Sequence, residues 1–267
     1  MAADFRAQID WRRPWLAPLW PAAAPIMAAA DWRAALNAAA AERGLRNHRG
    51  RTVHFVPQSE LPDGVAYEAF ISATGGVPTR DNLHDFFNAL VWLTYPRTKV
   101  ALNAVQAAEI ERAVTRDARL TVRGKVRDAA TIYDENAALL VTRDAGIADA
   151  LRQHRWDELF IARRDAFLRD AEVRLFGHAL MEKLVAPYKA ITAHVLVVAA
   201  PEGYFMLPEH ARRALVDRLA ADRLAGGLTT GDFMHLPMSG VPGWWDGQDA
   251  AFYADAAVFR PKRKCPD

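Results

Sequence analysis

Cysteine is nearly missing from this chain: of 267 residues only Cys265, third from the end, is one. A disulfide within the chain needs two cysteines and a thiolate metal cluster needs several, so both are excluded. A single thiol fits a reducing cytoplasm. Charge bias is missing too. Lys and Arg number 34 against 32 Asp and Glu, a net of +2, which gives no electrostatic case for a nucleic-acid partner. Long apolar runs are absent: the Ala-rich segment 22–41 is broken by Asp31, Arg33 and Asn37, so nothing reaches the ~18–20 residues a membrane helix requires. The first twenty residues lack the basic start and apolar run of a signal peptide. A soluble, cytoplasmic protein with no membrane partner is expected.

Familiar catalytic patterns are absent as well. There is no G-x-x-x-x-G-K-[ST] phosphate loop and no H-E-x-x-H zinc helix. There is no G-x-S-x-G nucleophile elbow either.

What is present is an ordinary globular composition, 51% apolar and 25% charged, in a chain long enough to bury a substantial core. No internal repeat or Ser/Gly-rich linker divides it. The expected fold is α+β: a single helix-rich domain over 26–267 with a small mixed sheet, preceded by a Trp/Pro-rich irregular arm over 1–25. That arm carries Trp11, Trp15, Trp20 and four prolines, which lack an N–H and fix φ.

Along the domain, a helix is expected over 27–43, closed by Gly44, and a short strand over 51–57 around His54. Leu83, Phe86, Phe87, Leu90 and Leu93 recur at the 3.6-residue period of a helix over 82–94, with Asp81 or Thr79 as its cap. A second helix is expected from 98 to about 116. Residues 119–142 read as two strands, with Asp134-Glu135-Asn136 as a hairpin turn; paired carboxylates there could also bind a metal. A short helix over 146–155, a longer one over 157–184, a buried strand over TAHVLVVAA and an amphipathic helix over 207–224 follow. A loop-rich end closes with a short strand and the basic PKRK tail.

Chemically capable side chains concentrate in residues 67–103. Helical spacing brings His84 and Asn88 together on one face with Asp85, while Arg80, Tyr95, Arg97 and Lys99 flank them. A second candidate pair is His178 and Glu182, one turn apart, a usable spacing for metal ligands or for a base and its orienting partner.

The run GVPTRDNLHDFFNALVWLTYPRTKVALN, with DEN, FGHALMEKLVAPYKAITAH and the closing SGVPGWW and FYADAAVFRP, resembles the bacterial Domain of Unknown Function 3025 family over nearly the whole chain. The resemblance implies membership of a family with no activity to carry over, so function rests on the residues themselves.

Two readings follow from those residues. In the first, the protein is a metal-assisted hydrolase. His84, Asp85, Asn88, His178 and Glu182 are then its catalytic candidates, joined by His194 or Asp134. His84, His178 and Glu182 would hold a divalent ion that lowers the pKa of bound water. Arg80, Arg97, Lys99 and Tyr95 would bind a small anionic substrate bearing phosphate or carboxylate. His54 ahead of DNLH and Asn88 loosely follows the order of HNH-type nucleases, at poor spacing. In the second, the protein is a non-catalytic binding or assembly protein, and the same His, Asp, Asn and Arg form a structural hydrogen-bond network. The hydrolase requires His84 and His178 to meet in an open pocket.

Overall fold

The computed structural model describes residues 4–115 and 125–262. They form a helix-rich α+β domain built on two small sheets. No helix among the described residues is long and apolar enough to cross a membrane.

Residues 4–27 are largely helical, with an irregular link at 9–13. They make 3-10 turns at Phe5–Gln8 and Pro14–Leu19 and then helix α1, Trp20–Met27. Proline is tolerated in first turns because the N–H it lacks has no partner there, and Pro14 and Pro21 sit at such positions. Trp15, Leu16, Leu19 and Ile26 are at most 2% exposed and belong to the same core as the rest of the chain. Helix α2, Trp32–Glu42, is capped by Asp31, whose carboxylate accepts from the Ala34 N–H.

Strand β1, His54–Pro57, pairs in parallel with β2, Gly76–Thr79, across helix α3, Tyr67–Thr74. Gly75 ends α3 at φ 80°, and a Cβ there would lie 2.2 Å from the Thr52 carbonyl oxygen. Helix α4, Leu83–Thr94, follows, with every residue from Asp85 to Thr94 buried. Its cap is Asn82, whose Oδ1 accepts from Asp85 N at 2.8 Å, and not Asp81 or Thr79. Asp81 instead pairs with Arg33 at 2.9 Å, and Thr79 bonds the Val77 carbonyl. Pro96 opens α5, Pro96–Thr115.

Residues 125–136 reverse the strand expectation: they form helix α6, Lys125–Asn136, and the rest of the expected first strand lies outside the described residues. Ala129, Ala130 and Tyr133 supply the buried helical stripe. There is no DEN turn. Strand β3, Ala137–Thr142, starts on the next residue and is buried throughout.

Helix α7, Ala145–Arg152, leads through a π-helical turn at Glu158–Ala162 to α8, Arg164–Asp170. The single helix expected over 157–184 is broken by strand β4, Ala171–Leu175, before α9, His178–Lys183. Ala171, Val173 and Leu175 also repeat at period two, and pairing with β3 selects the strand. Strand β5, Thr192–Ala199, is where the sequence placed it, as is α10, Glu209–Ala225, to within two residues. Strand β6, Met234–Pro237, completes the main sheet in the order β4-β3-β5-β6, with β3 and β5 parallel and both outer pairs antiparallel. The chain then closes with helix α11, Ala250–Tyr253, rather than a strand; residues 263–267, most of the basic tail, lie outside the described residues.

Candidate metal centre

Three elements converge on one cleft of about 280 Å³. Helix α4 contributes His84 from its first turn, α6 contributes Asp134 and Glu135 from its last, and α9 begins at His178. The tight point is Gly177. A Cβ there would lie 2.4 Å from Ala137 N and 2.6 Å from Glu135 C, so only glycine lets α9 start against the α6–β3 junction. The Gly177 N–H and the Phe176 N–H both donate to the Ala137 carbonyl, at 2.8 and 3.1 Å. This pins His178 beside Glu135.

His84 Nε2 and His178 Nε2 lie 2.9 Å apart. Glu135 Oε2 is 3.4 Å from the second and 3.9 Å from the first. The two histidines therefore meet in an open cleft. Together His84, Glu135 and His178 could hold a metal ion. Bond lengths of ~2.0–2.1 Å at tetrahedral angles put ligand atoms roughly 3.3 Å apart, which the three separations straddle.

The opposite ring nitrogens face carboxylates. His84 Nδ1 is 2.9 Å from Glu182 Oε2, and His178 Nδ1 is 3.7 Å from Asp134 Oδ1. Glu182, expected as a ligand, thus stands behind His84 and orients it. The carboxylate that groups with the two histidines is Glu135, read from sequence as part of a turn whose paired carboxylates could also bind a metal.

Donor and acceptor accounting tests the fit. If the two imidazoles merely bond each other, His84 keeps its proton on Nδ1 for Glu182 and His178 donates from Nε2. The buried His178 Nδ1 is then left as a bare acceptor, and among the described residues it has no hydrogen-bond partner. With an ion between the two Nε2 atoms, both Nδ1–H groups point at carboxylates, the arrangement that fixes ligand tautomers in metal sites.

Behind the triad is a buried polar chain. Lys99 Nζ, on a side chain 3% exposed, donates to Asp134 Oδ1 at 2.6 Å and to Asn88 Oδ1 at 2.9 Å. It also lies 5.4 Å from the centre of the Trp92 ring. Asn88 Nδ2 donates to Tyr67 Oη at 2.9 Å. Burial alone would raise the Asp134 pKa, but the Lys99 charge and the His178 ring outweigh it and hold the carboxyl well below the usual range. Glu68 moves the other way: burial raises its pKa and the Asp134 charge adds to this. Its Oε2 accepts from Asn103 Nδ2 at 2.6 Å.

The expected anion clamp does not assemble. Asp85 takes Arg80 through N, Nε and Nη2 at 2.6, 2.9 and 3.1 Å, so Asp85 shapes the loop before α4. Lys99 is committed to Asp134. Tyr95 is fully buried beside Phe176, ring centres 5.9 Å apart, away from the cleft. Arg97 is exposed, and its backbone N–H donates to Asp217 Oδ2 at 3.0 Å. Of the four, only Arg80 borders the cleft. His194 is on β5 beside His235, bonded to Asn136 at 3.0 Å, and the exposed His54 bonds the Thr52 carbonyl at 3.0 Å; neither lines the cleft. Tyr67, Glu68, Gln106 and Thr131 do line it and carried no signal as site residues in the sequence.

No curated protein and no solved structure matches the chain. A family model does match, over residues 53–263, which takes in all three elements that build the cleft. The chain belongs to the family described as "Protein of unknown function (DUF3025)".

Proposed function

We propose that this protein is a metal-dependent hydrolase in which His84, His178 and Glu135 bind one divalent transition-metal ion. The observation that carries the reading is the orphaned His178 Nδ1, which an ion between the Nε2 atoms turns into a donor facing Asp134. Three ligands of imidazole and carboxylate leave a position open for water, as in catalytic rather than structural zinc sites. Such an ion supplies a nucleophile at neutral pH by lowering the pKa of that water. The protein's own part is to orient the rings through Glu182 and Asp134, and to present Glu68 as a carboxyl that can exchange a proton. A cytoplasmic setting, supported by the single thiol, belongs to this reading.

The competing reading is a structural network, favoured by the buried Asp134–Lys99–Asn88–Tyr67 chain. Elemental analysis of protein purified without added metal separates the two. About one equivalent of metal per chain is expected, lost in His84→Ala and in His178→Ala with the fold intact by circular dichroism. Metal-free protein that takes up no zinc, cobalt, manganese or nickel on titration overturns the metal centre and leaves the network.

A further inference from the structure

The hydrogen-bond chain behind the triad has a direction, and that direction ends in the cleft. Lysine can only donate, so Asn88 must turn its oxygen toward Lys99 Nζ, 2.9 Å away. The Asn88 amide nitrogen then faces Tyr67 Oη at 2.9 Å. That nitrogen can also only donate, so the phenol oxygen accepts and its proton must point elsewhere. Among the described residues nothing accepts it, and Tyr67 lines the cleft with His84, His178 and Glu135.

We propose that Tyr67 donates its hydrogen bond to the carbonyl oxygen of a small uncharged amide or ester, which this site hydrolyses in preference to a phosphate ester. The proposal rests on the reading of His84, His178 and Glu135 as a metal centre. Burial holds the Tyr67 pKa well above its ordinary value, and the charges of Glu68, Asp85 and Asp134 push the same way. The phenol therefore stays neutral and keeps the proton it donates. A fixed donor aimed where charge develops is a large source of rate enhancement in acyl transfer.

The substrate class follows from charge. The cleft is lined by four carboxylates and one guanidinium, and both nearby cations are committed, Arg80 to Asp85 and Lys99 to Asp134. Glu68 has no cation of its own among the described residues, whereas the Glu135 charge would be met by the ion it helps to hold. A phosphate ester would bring its charge against Glu68 on entry. A carbonyl compound brings none, and develops charge on one oxygen only in the transition state. The cleft, about 280 Å³, is lined by side chains that each carry a polar group and is near the small end of ligand pockets. It suits a small polar molecule.

The reaction balances as ordinary hydrolysis. The water oxygen bonds to the carbonyl carbon, the π pair moves onto the oxygen facing Tyr67, and the water proton passes to Glu68. When the oxyanion collapses, the bond to the amine nitrogen or alcohol oxygen breaks. The departing atom takes the electron pair and the proton from Glu68, giving a carboxylic acid and an amine or alcohol. Glu68 has one oxygen held by Asn103; no partner holds the other among the described residues.

The test uses the full chain loaded with zinc. Calorimetry with acetohydroxamate, a carbonyl-bearing zinc chelator, and with inorganic phosphate gives relative affinity. Acetohydroxamate is expected to bind at least about tenfold tighter than phosphate, and Tyr67→Phe to weaken it about tenfold, the worth of one hydrogen bond. On p-nitrophenyl acetate, Tyr67→Phe should lower kcat by about 10²–10³ with KM and zinc content unchanged, and bis-p-nitrophenyl phosphate should be the poorer substrate. Equal hydroxamate binding by wild type and Tyr67→Phe, or tighter binding of phosphate, overturns the proposal while leaving the metal centre standing. A wild type that takes up no zinc overturns both.

Discussion

Replacing Gly177 by alanine isolates one steric contact on which the site geometry depends. The residue has φ −60°, a conformation alanine adopts freely, so backbone strain contributes nothing. The whole effect comes from the added methyl, which would lie 2.4, 2.5 and 2.6 Å from Ala137 N, Asn136 N and Glu135 C. Ordinary carbon contacts are roughly 3.5–4.0 Å, so the start of α9 and the α6–β3 junction must part by about an ångström. These neighbours are backbone atoms in a buried helix-to-strand step and have no rotamer to escape into. Overpacking of this kind costs about 1–3 kcal/mol, which in a domain of this size lowers the melting temperature by about 2–10 °C. The same displacement separates His178 from Glu135, and zinc affinity should fall by about 10–100-fold, as when support behind a ligand is lost. Gly146→Ala is the matched control. Its methyl would meet only the Arg163 guanidinium at 2.8 Å, the far end of a side chain that can swing aside. Differential scanning calorimetry and a competitive zinc titration on both variants give the comparison. If Gly177→Ala melts and binds zinc like the parent, the steric reasoning is refuted.

Other perturbations probe the charges. Lys99→Met strands the Asp134 carboxylate in a site where both side chains are at most 10% exposed. Unfolding in urea should show about 3–5 kcal/mol lost, and adding Asp134→Asn should recover part of it; a double variant weaker than the single would contradict the pairing. Because the folded Asp134 pKa is depressed, its stabilising contribution is complete above the unfolded carboxyl value of about 4 and disappears as pH falls below it. The advantage of wild type over Asp134→Asn should therefore shrink in melts between pH 5 and pH 2. Glu68 has the opposite sign. Its folded pKa is raised, so its contribution to stability is present below the unfolded value of about 4.3 and is lost as pH rises through the folded one. Glu68→Gln, which keeps an oxygen for Asn103, should melt above wild type at pH 8 and level with it at pH 4, and the reverse ordering would show that Glu68 is paired rather than desolvated.

Much of the site was legible in the sequence because it depends on local spacing. The apolar stripe of α4 fixes where His84 points, and His178 was singled out by its own helical turn. Glu135 was legible only as one of two carboxylates that could bind a metal, and Glu182 only as a partner of His178; their places beside and behind His84 depend on how α6 and α9 meet through Gly177. Residues 125–136 misled for a definable reason: Val126 and Ile132 have strand preferences, and Asp134 and Asn136 have turn preferences. The buried stripe of Ala129, Ala130 and Tyr133 outweighs them only once α6 packs on α5 and α9. β4 was lost inside an expected helix because Ala171, Val173 and Leu175 satisfy a two-residue period that only the neighbouring β3 can reward. Lys99 and Asn88 were visible as reactive groups, but their direction, inward to Asp134 and Tyr67, could be read only from three dimensions.

The direct passage from α6 to β3 bears on how this chain can tolerate change in length. Asp134, Glu135 and Asn136 end a helix, and Ala137 is already paired with His194 in the central sheet. No connecting residues exist to absorb an insertion or a deletion. One residue added after Tyr133 would rotate the two carboxylates about the helix axis by about 100°, or else slip β3 by one place and turn its side chains to the opposite face of the sheet. Either way the carboxylate beside the histidines would be lost. Homologous chains that keep the histidines should therefore conserve the count of residues between Tyr133 and Ala137, with length variation falling in the loops on the far side of the sheet.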